Sequence, residues 1–259
     1  MPELSLRDLL RQRTLKVGTG FLEFDSPGIG QIARAGGVDF AFIDMEHSGF
    51  GIESVKRSLR YMQAAGLPAV VRPPTKAFHH IGQVLDAGAD AVLVPMVETA
   101  EQARESLQAI KYYPEGRRGV ALGIAHDRYR AGPMADTLAA ANRKTAALML
   151  IESVQGVANA DEIAAVPGVD GLWLGALDLS CSLGAPGEFE SSPRFLAAMQ
   201  KVLSAAKAHN LNAGRLAGTP GEGIALFKLG FDSLCYSADI YLLRGAIAAG
   251  VTAIREGCK

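Results

Sequence analysis

The sequence predicts a (β/α)8 barrel of the TIM type. Eight short runs, most of them rich in Val, Ile, Leu or Phe, recur along 259 residues, and Ala- and Leu-rich stretches with helical spacing lie between them. This alternation implies a parallel sheet covered by helices, and eight strands in a chain of this length favour a closed barrel over an open doubly wound sheet. No Gly-x-Gly-x-x-Gly turn opens a helix after the first run, so a dinucleotide-binding fold lacks its fingerprint.

The predicted strands are 15–20, 39–44, 68–72, 90–95, 146–151, 170–174, 211–216 and 232–236. Helical spacing is clearest over 52–64, 76–87, 98–110, 154–164, 193–208 and 238–255, and several of these stretches start behind a Ser, Thr or Glu. The rhythm breaks once, at about 112–145, where an Arg- and Tyr-rich loop leads to a short helix. A connection of that length serves as a lid, a subunit contact or both. No internal repeat stands out. Residues 1–259 read as one domain, since 49% hydrophobic residues supply an ample core.

Bulk properties remove several function classes. Net charge is −1 and aromatic content 7%, without a long basic run, which leaves neither a phosphate-backbone footprint nor a base-stacking platform for nucleic acid. No apolar run approaches membrane-spanning length, and Met1–Gln12 has no apolar signal-peptide core. Cys181, Cys235 and Cys258 are odd in number and scattered, as expected of reduced thiols in the cytoplasm.

The chemistry gathers at strand ends, where a barrel builds its active site. Glu152 and Asp178 are 26 residues apart, about one βα unit, so both carboxylates face one mouth. They either hold a divalent ion with water and substrate oxygens completing its shell, which suits Mg²⁺ or Mn²⁺, or cap the helices that follow. His47 follows a strand that also supplies Asp44 and Glu46, so a neighbouring carboxylate can orient the imidazole and make it more basic. His79, His80, His126 and His209 lack that setting.

Arg72 ends the run Ala69-Val70-Val71, and Pro73-Pro74 stiffens the exit. Its planar fork suits a carboxylate or an enolate oxygen; the alternative is a salt bridge to a barrel-top acid. Gly175, Ala176 and Leu177 offer backbone N–H groups to an anionic substrate. No lysine falls at a strand C-terminus, and Lys16 lies at the opposite end of its strand, so a Schiff base has no donor in the mouth.

At these residues the chain resembles the HpcH/HpaI aldolase family of metal-dependent, class II pyruvate aldolases, which includes 4-hydroxy-2-oxoheptanedioate and 2-dehydro-3-deoxyglucarate aldolases. The motifs that carry the resemblance are Ile43-Asp44-Met45-Glu46-His47, Val70-Val71-Arg72-Pro73, Leu93-Val94-Pro95-Met96-Val97, Arg118-Gly119-Val120, Ile151-Glu152 and Asp178-Leu179-Ser180, in this order. The resemblance implies a modified TIM barrel whose C-terminal helix packs on a partner subunit in a homo-oligomer, typically a hexamer. It implies that Glu152 and Asp178 hold Mg²⁺ or Mn²⁺, with Co²⁺ a further option, that His47 is the base and that Arg72 stabilises the enolate. Asp86 is expected to reach from a neighbouring subunit and raise the basicity of the histidine, and the backbone at Leu177 to contact pyruvate.

Two departures stand out. Leu150 occupies a position where family members commonly carry Gln, and Ala176-Leu177 replaces a Pro-Ala pair. The expected activity is reversible retro-aldol cleavage of a 4-hydroxy-2-oxo acid to a 2-oxo acid, pyruvate or a relative, and an aldehyde, through a metal-stabilised enolate. The alternatives are oxaloacetate decarboxylation, macrophomate synthase-like enolate chemistry on the same site, or a non-catalytic ligand-binding barrel.

Overall fold

A computed structural model describes residues 5–130 and 132–259. In chain order the elements are α1 (Leu6–Arg11), β1 (Lys16–Phe21), α2 (Ile29–Ala35), β2 (Phe40–Asp44), α3 (Ile52–Ala64), β3 (Ala69–Arg72), α4 (Phe78–Asp86), β4 (Ala91–Val94) and α5 (Ala100–Ile110). They continue with a 3-10 turn at Ala125–Asp127, α6 (Met134–Lys144), β5 (Ala146–Ile151), α7 (Val154–Ala158), α8 (Ala160–Ala164), β6 (Gly171–Leu174), α9 (Ala176–Ser182), α10 (Pro193–Ala208), β7 (Asn212–Ala217), α11 (Pro220–Leu229), β8 (Ser233–Ala238) and α12 (Asp239–Gly257). All eight strands are parallel and close in sequence order, β8 pairing with β1.

Large residues fill the barrel where glycines make room. An added Cβ on Gly214 would lie 2.2 Å from the Trp173 indole, and one on Gly18 2.4 Å from the Phe40 ring. Phe40 meets Trp173 edge to face at 6.0 Å. This interior cluster is plugged at the strand N-termini by Leu6 and Leu10 of α1. A capping box between Ser5 and Asp8 starts that helix.

A repeat that the sequence reading passes over lies on this lower face. Gly37-Val38-Asp39, Gly88-Ala89-Asp90, Gly168-Val169-Asp170 and Gly230-Phe231-Asp232 each introduce an even-numbered strand. All four glycines have positive φ, from 85° to 112°, which lets the chain turn up into the strand. The four aspartates accept the N–H of Val17, Ala69, Ala147 and Ala213 at 2.8, 2.9, 3.1 and 3.3 Å, each at the start of the preceding strand. Asp170 also receives Arg7 of α1 at 2.8 Å, so the same carboxylate fixes strand and plug.

Three differences from the sequence expectations have physical causes. The expected helix over 154–164 is divided by Asn159, whose side chain donates to the Glu98 carbonyl at 2.7 Å. Helices α2 and α11 go unread because Gly28 and Gly30, and Gly221 and Gly223, depress their propensity. The 112–145 insertion connects a helix to a strand and therefore belongs to the lower face. Lys111 Nζ donates to the carbonyls of Asn142 and Thr145 at 2.7 and 2.8 Å, and Arg7 reaches Asn142 and Arg143. Of the two expected roles, a lid or a subunit contact, the lid does not fit a segment on this face.

Helix α12 leaves the barrel. Asp239 turns the chain by accepting the N–H groups of Leu22 and Phe24 at 3.1 and 2.9 Å, and it is the buried residue of its helix. Beyond it Tyr241, Leu243, Ile247 and Ile254 are exposed, as are Ile32 on α2 and Ile224 and Phe227 on α11. Exposed apolar faces of this kind are candidate interaction surfaces.

Asp170→Ala strands the Ala147 N–H and leaves Arg7 without its counter-ion, so denaturant unfolding should show a loss of about 3 kcal/mol. Catalytic constants of the folded fraction should be unchanged, because the site lies at the other end of the strands; an unaltered unfolding midpoint would remove Asp170 from the stabilising set.

Candidate active site

The strand C-termini bring Asp44, Glu46, Arg72, Glu152 and Asp178 to one mouth. Asp44 and Arg72 are register partners on β2 and β3, and inward-facing positions on adjacent strands place their side chains side by side. The Arg72 fork is bidentate: Nε donates to Asp44 Oδ1 at 2.8 Å and Nη2 to Oδ2 at 2.6 Å. Nη1 lies 2.9 Å from Glu46 Oε2. Below, the guanidinium sits 5.7 Å from the centre of the Phe42 ring, a cation–π contact. A guanidinium has five N–H groups, so two remain for a substrate oxygen after these three contacts.

This geometry separates the two acids, Asp44 and Glu46, either of which the sequence allows beside the histidine. The Asp44 carboxylate is spent on Arg72 and on the Glu46 N–H at 3.0 Å, and it is not the acid beside the histidine. The neighbour of His47 is Glu46, with Oε2 4.0 Å from Nε2, and the imidazole is largely solvent-exposed. Glu46 stands between Arg72 and His47, its Oε2 buried without an aligned hydrogen bond. Burial pushes its carboxyl above the ordinary range against the pull of Arg72.

Glu152, at the end of β5, is buried. Its Oε1 accepts the Met96 N–H at 2.7 Å, and its Oε2 lies so near the backbone of Gly175 that a Cβ there would come within 2.4 Å. That close approach is why glycine stands between β6 and α9. Burial, reinforced by the charges of Glu46 and Asp178 and opposed by the Met96 N–H and Arg72, pushes the Glu152 carboxyl up to about 7. Asp178 lies exposed in the first turn of α9. Leu177 is exposed beside it and Ala176 half-buried, so the turn expected to meet the substrate is open to solvent.

Among the described residues no group of three or more His, Cys, Asp or Glu side chains is arranged to hold a metal. Two carboxylates with water and substrate oxygens nevertheless suit a hard divalent ion. The charge balance of the mouth fits one: Asp44, Glu46, Glu152 and Asp178 gather around Arg72, and Glu46 Oε2 is a buried anionic oxygen without a donor aligned on it.

Asp86 is not brought to this mouth within the chain. It ends α4 on the lower face, where its Oδ1 accepts Arg118 Nη2 at 2.6 Å. Arg118 is buried and stacks 4.6 Å from the Tyr112 ring, while Asp86 keeps 40% of its side chain exposed.

The family model for HpcH/HpaI aldolase/citrate lyase matches residues 19–233. The chain is 43% identical over 165 residues to a hydroxypyruvate/pyruvate aldolase of Deinococcus radiodurans, an alignment spanning 63% of this chain and 59% of that protein. It is 35% identical over 238 residues to a 2-keto-3-deoxy-L-rhamnonate aldolase of Klebsiella pneumoniae, covering 89% of this chain and 88% of that one. The crystal structure of an HpcH/HpaI aldolase from Desulfitobacterium hafniense superimposes with a TM-score of 0.92 at 28% identity, covering 98% and 97% of the two chains. With its barrel closed in the same way and the family model matched from β1 to β8, the chain belongs to the HpcH/HpaI aldolase/citrate lyase family.

Proposed function

We propose that this protein is a divalent-metal-dependent aldolase that reversibly cleaves a 4-hydroxy-2-oxo acid to pyruvate, or a related 2-oxo acid, and an aldehyde. The observation that carries this reading is the buried Glu152 carboxylate, set near Asp178 and Glu46 and facing a clamped Arg72. Glu152 and Asp178 would hold Mg²⁺ or Mn²⁺, and the bound ion supplies Lewis-acid polarisation of a 2-oxo group. The named activities of the relatives, aldol chemistry on small oxo acids, support the same class.

The residues divide the remaining work. Arg72, held flat by Asp44, presents its two remaining N–H groups to the oxygen that gains charge as the C3–C4 bond breaks and the electron pair moves toward the 2-oxo group. His47, reachable from solvent, takes the proton from the 4-hydroxyl and returns one to C3 after the aldehyde leaves. Backbone N–H groups at the start of α9, at Ala176, Leu177 and Asp178, face the substrate carboxylate, whereas the N–H of Gly175, expected among them, is donated to the Ile151 carbonyl at 3.0 Å. Leu177, exposed at that turn, and Leu150 give the site apolar flanks. The three cysteines are unpaired thiols, which supports a reducing compartment such as the cytoplasm.

A homo-oligomer completes the site in this reading. The exposed apolar faces of α12, α2 and α11 support a partner barrel receiving the helix, and Asp86, on the lower face with Arg118, is assigned to the mouth of a neighbour, where it acts on that subunit's His47. Mixing inactive Asp86→Asn and His47→Ala subunits under exchange conditions should restore part of the activity, because some mixed sites regain both groups. Mixtures that stay inactive despite proven exchange would confine Asp86 to its own chain.

The activity test is pyruvate against a panel of aldehydes with added Mn²⁺. Product should form, disappear on exhaustive chelation and return with the ion. Arg72→Lys loses the planar fork and should cost roughly 10²–10³ in kcat, the scale of deleting one preorganised donor. Full turnover after chelation would end the metal reading.

The pH dependence follows from Glu152. Its folded-state pKa of about 7 stands above the ordinary value of 4.5, so the folded chain keeps a proton that the unfolded chain has already lost, and metal-free stability falls as pH rises through that window. Scanning calorimetry of metal-free protein should show Glu152→Gln more stable than the parent above pH about 7 and the gap closing toward pH about 5. A gap of equal size at both pH values would place the raised pKa elsewhere.

A further inference from the structure

The turn after β4 holds Glu152 by an unusual device. Met96 has φ 50°, in the left-handed region that residues with a side chain seldom adopt, and such a conformation persists where surrounding bonds over-determine it. Three bonds do so here. The Met96 N–H donates to Glu152 Oε1 at 2.7 Å, the next amide, Val97, donates to the Leu150 carbonyl at 3.1 Å, and the Met96 carbonyl accepts Lys76 Nζ at 2.7 Å. The first two bonds run inward to β5, while Lys76 alone of the three donors is a side chain, reaching across from the β3–α4 loop.

Lys76 is well placed for such a task. It follows Arg72 by four residues through Pro73 and Pro74, whose fixed φ angles limit the excursions of the loop. The bond it makes therefore ties the exit of β3, where Arg72 is clamped, to the exit of β4, which presents an N–H to Glu152. With Oε1 committed to Met96, the Glu152 carboxylate has its Oε2 left beside Gly175 at the start of α9. Released from Lys76, the Met96 peptide is free to relax out of the left-handed region and take its N–H off Oε1.

We propose that Lys76 is a positioning residue for the metal-holding side of the mouth: by fixing the Met96 carbonyl it keeps the Met96 N–H on Glu152 Oε1 and so leaves Oε2 preorganised for the ion. The inference rests on the reading of Glu152 and Asp178 as the metal pair. It makes a prediction opposite in sign to simple electrostatics. Lys76 is a cation beside a cation site, so deleting its charge alone relieves repulsion and tightens metal binding. Deleting a brace weakens it.

The test is isothermal titration of Mn²⁺ into the metal-free protein, without substrate and above the pKa of Glu152, for the parent, Lys76→Met, Lys76→Arg and Glu152→Gln. Lys76→Met keeps the aliphatic stem and removes the donor; its Kd should rise about tenfold, equivalent to ~1.4 kcal/mol. Lys76→Arg, which can still donate to the Met96 carbonyl, should recover to within about threefold of the parent. Equal or tighter binding by Lys76→Met, with Glu152→Gln still impaired, overturns the brace and leaves the metal reading standing. Failure of Lys76→Arg to recover overturns it as well. A parent that binds no Mn²⁺, or a Glu152→Gln variant that binds as the parent does, overturns the metal reading and the brace with it.

Discussion

The Arg72 guanidinium is the group around which the mouth is arranged. Four carboxylates, those of Asp44, Glu46, Glu152 and Asp178, gather around one mouth, and bringing like charges together with burial is costly unless a cation answers them. Arg72 answers Asp44 fully, through a bidentate pair, and Glu46 in part. Its charge cannot neutralise the rest. Burial, reinforced by the residual negative potential of Glu46 and Asp178, pushes the Glu152 carboxyl up to about 7, and a site of that charge suits a divalent ion.

The two ends of the barrel solve opposite problems. At the lower face every device lowers free energy: four Gly-x-Asp turns close strand onto strand, α1 plugs the interior, and Arg7 pairs with Asp170. At the upper face the chain accepts a left-handed methionine, a buried carboxylate oxygen with an ion-pair partner but no aligned hydrogen bond, and a raised carboxyl pKa. Stability built into one end lets the other hold groups in arrangements that are unfavourable without a ligand.

Much of this was legible in the sequence because barrel geometry converts position into place. A polar residue at the end of a strand's apolar run lies at the mouth, so Asp44, Arg72 and Glu152 could be brought together from the sequence, and Asp178, four residues past the end of β6, joins them through the turn into α9. Which acid serves which base could not. Asp44, Glu46 and His47 lie within four positions, and the choice of Asp44 for Arg72 depends on register pairing between β2 and β3 and on the rotamers that follow from it. The Met96 contact was hidden for a similar reason, since a backbone N–H carries no side-chain signature. The Gly-x-Asp repeat was in plain view, yet three residues recurring at uneven intervals make no periodic signal. Helices α2 and α11 hid behind their glycines, whose cost is outweighed by packing against β-strands and neighbouring helices.

If Glu152 and Asp178 form a metal seat, oriented by backbone on one side and balanced by Arg72 on the other, a divalent ion should be found on them. The most direct measurement is anomalous diffraction from crystals soaked with Mn²⁺ and pyruvate. A metal seat there gives a single strong peak within bonding distance of Glu152 Oε2 and the Asp178 carboxylate, with Glu152 Oε1 still receiving the Met96 N–H. A peak at other side chains, or a Glu152 carboxylate turned away from the mouth in the loaded crystal, would contradict it.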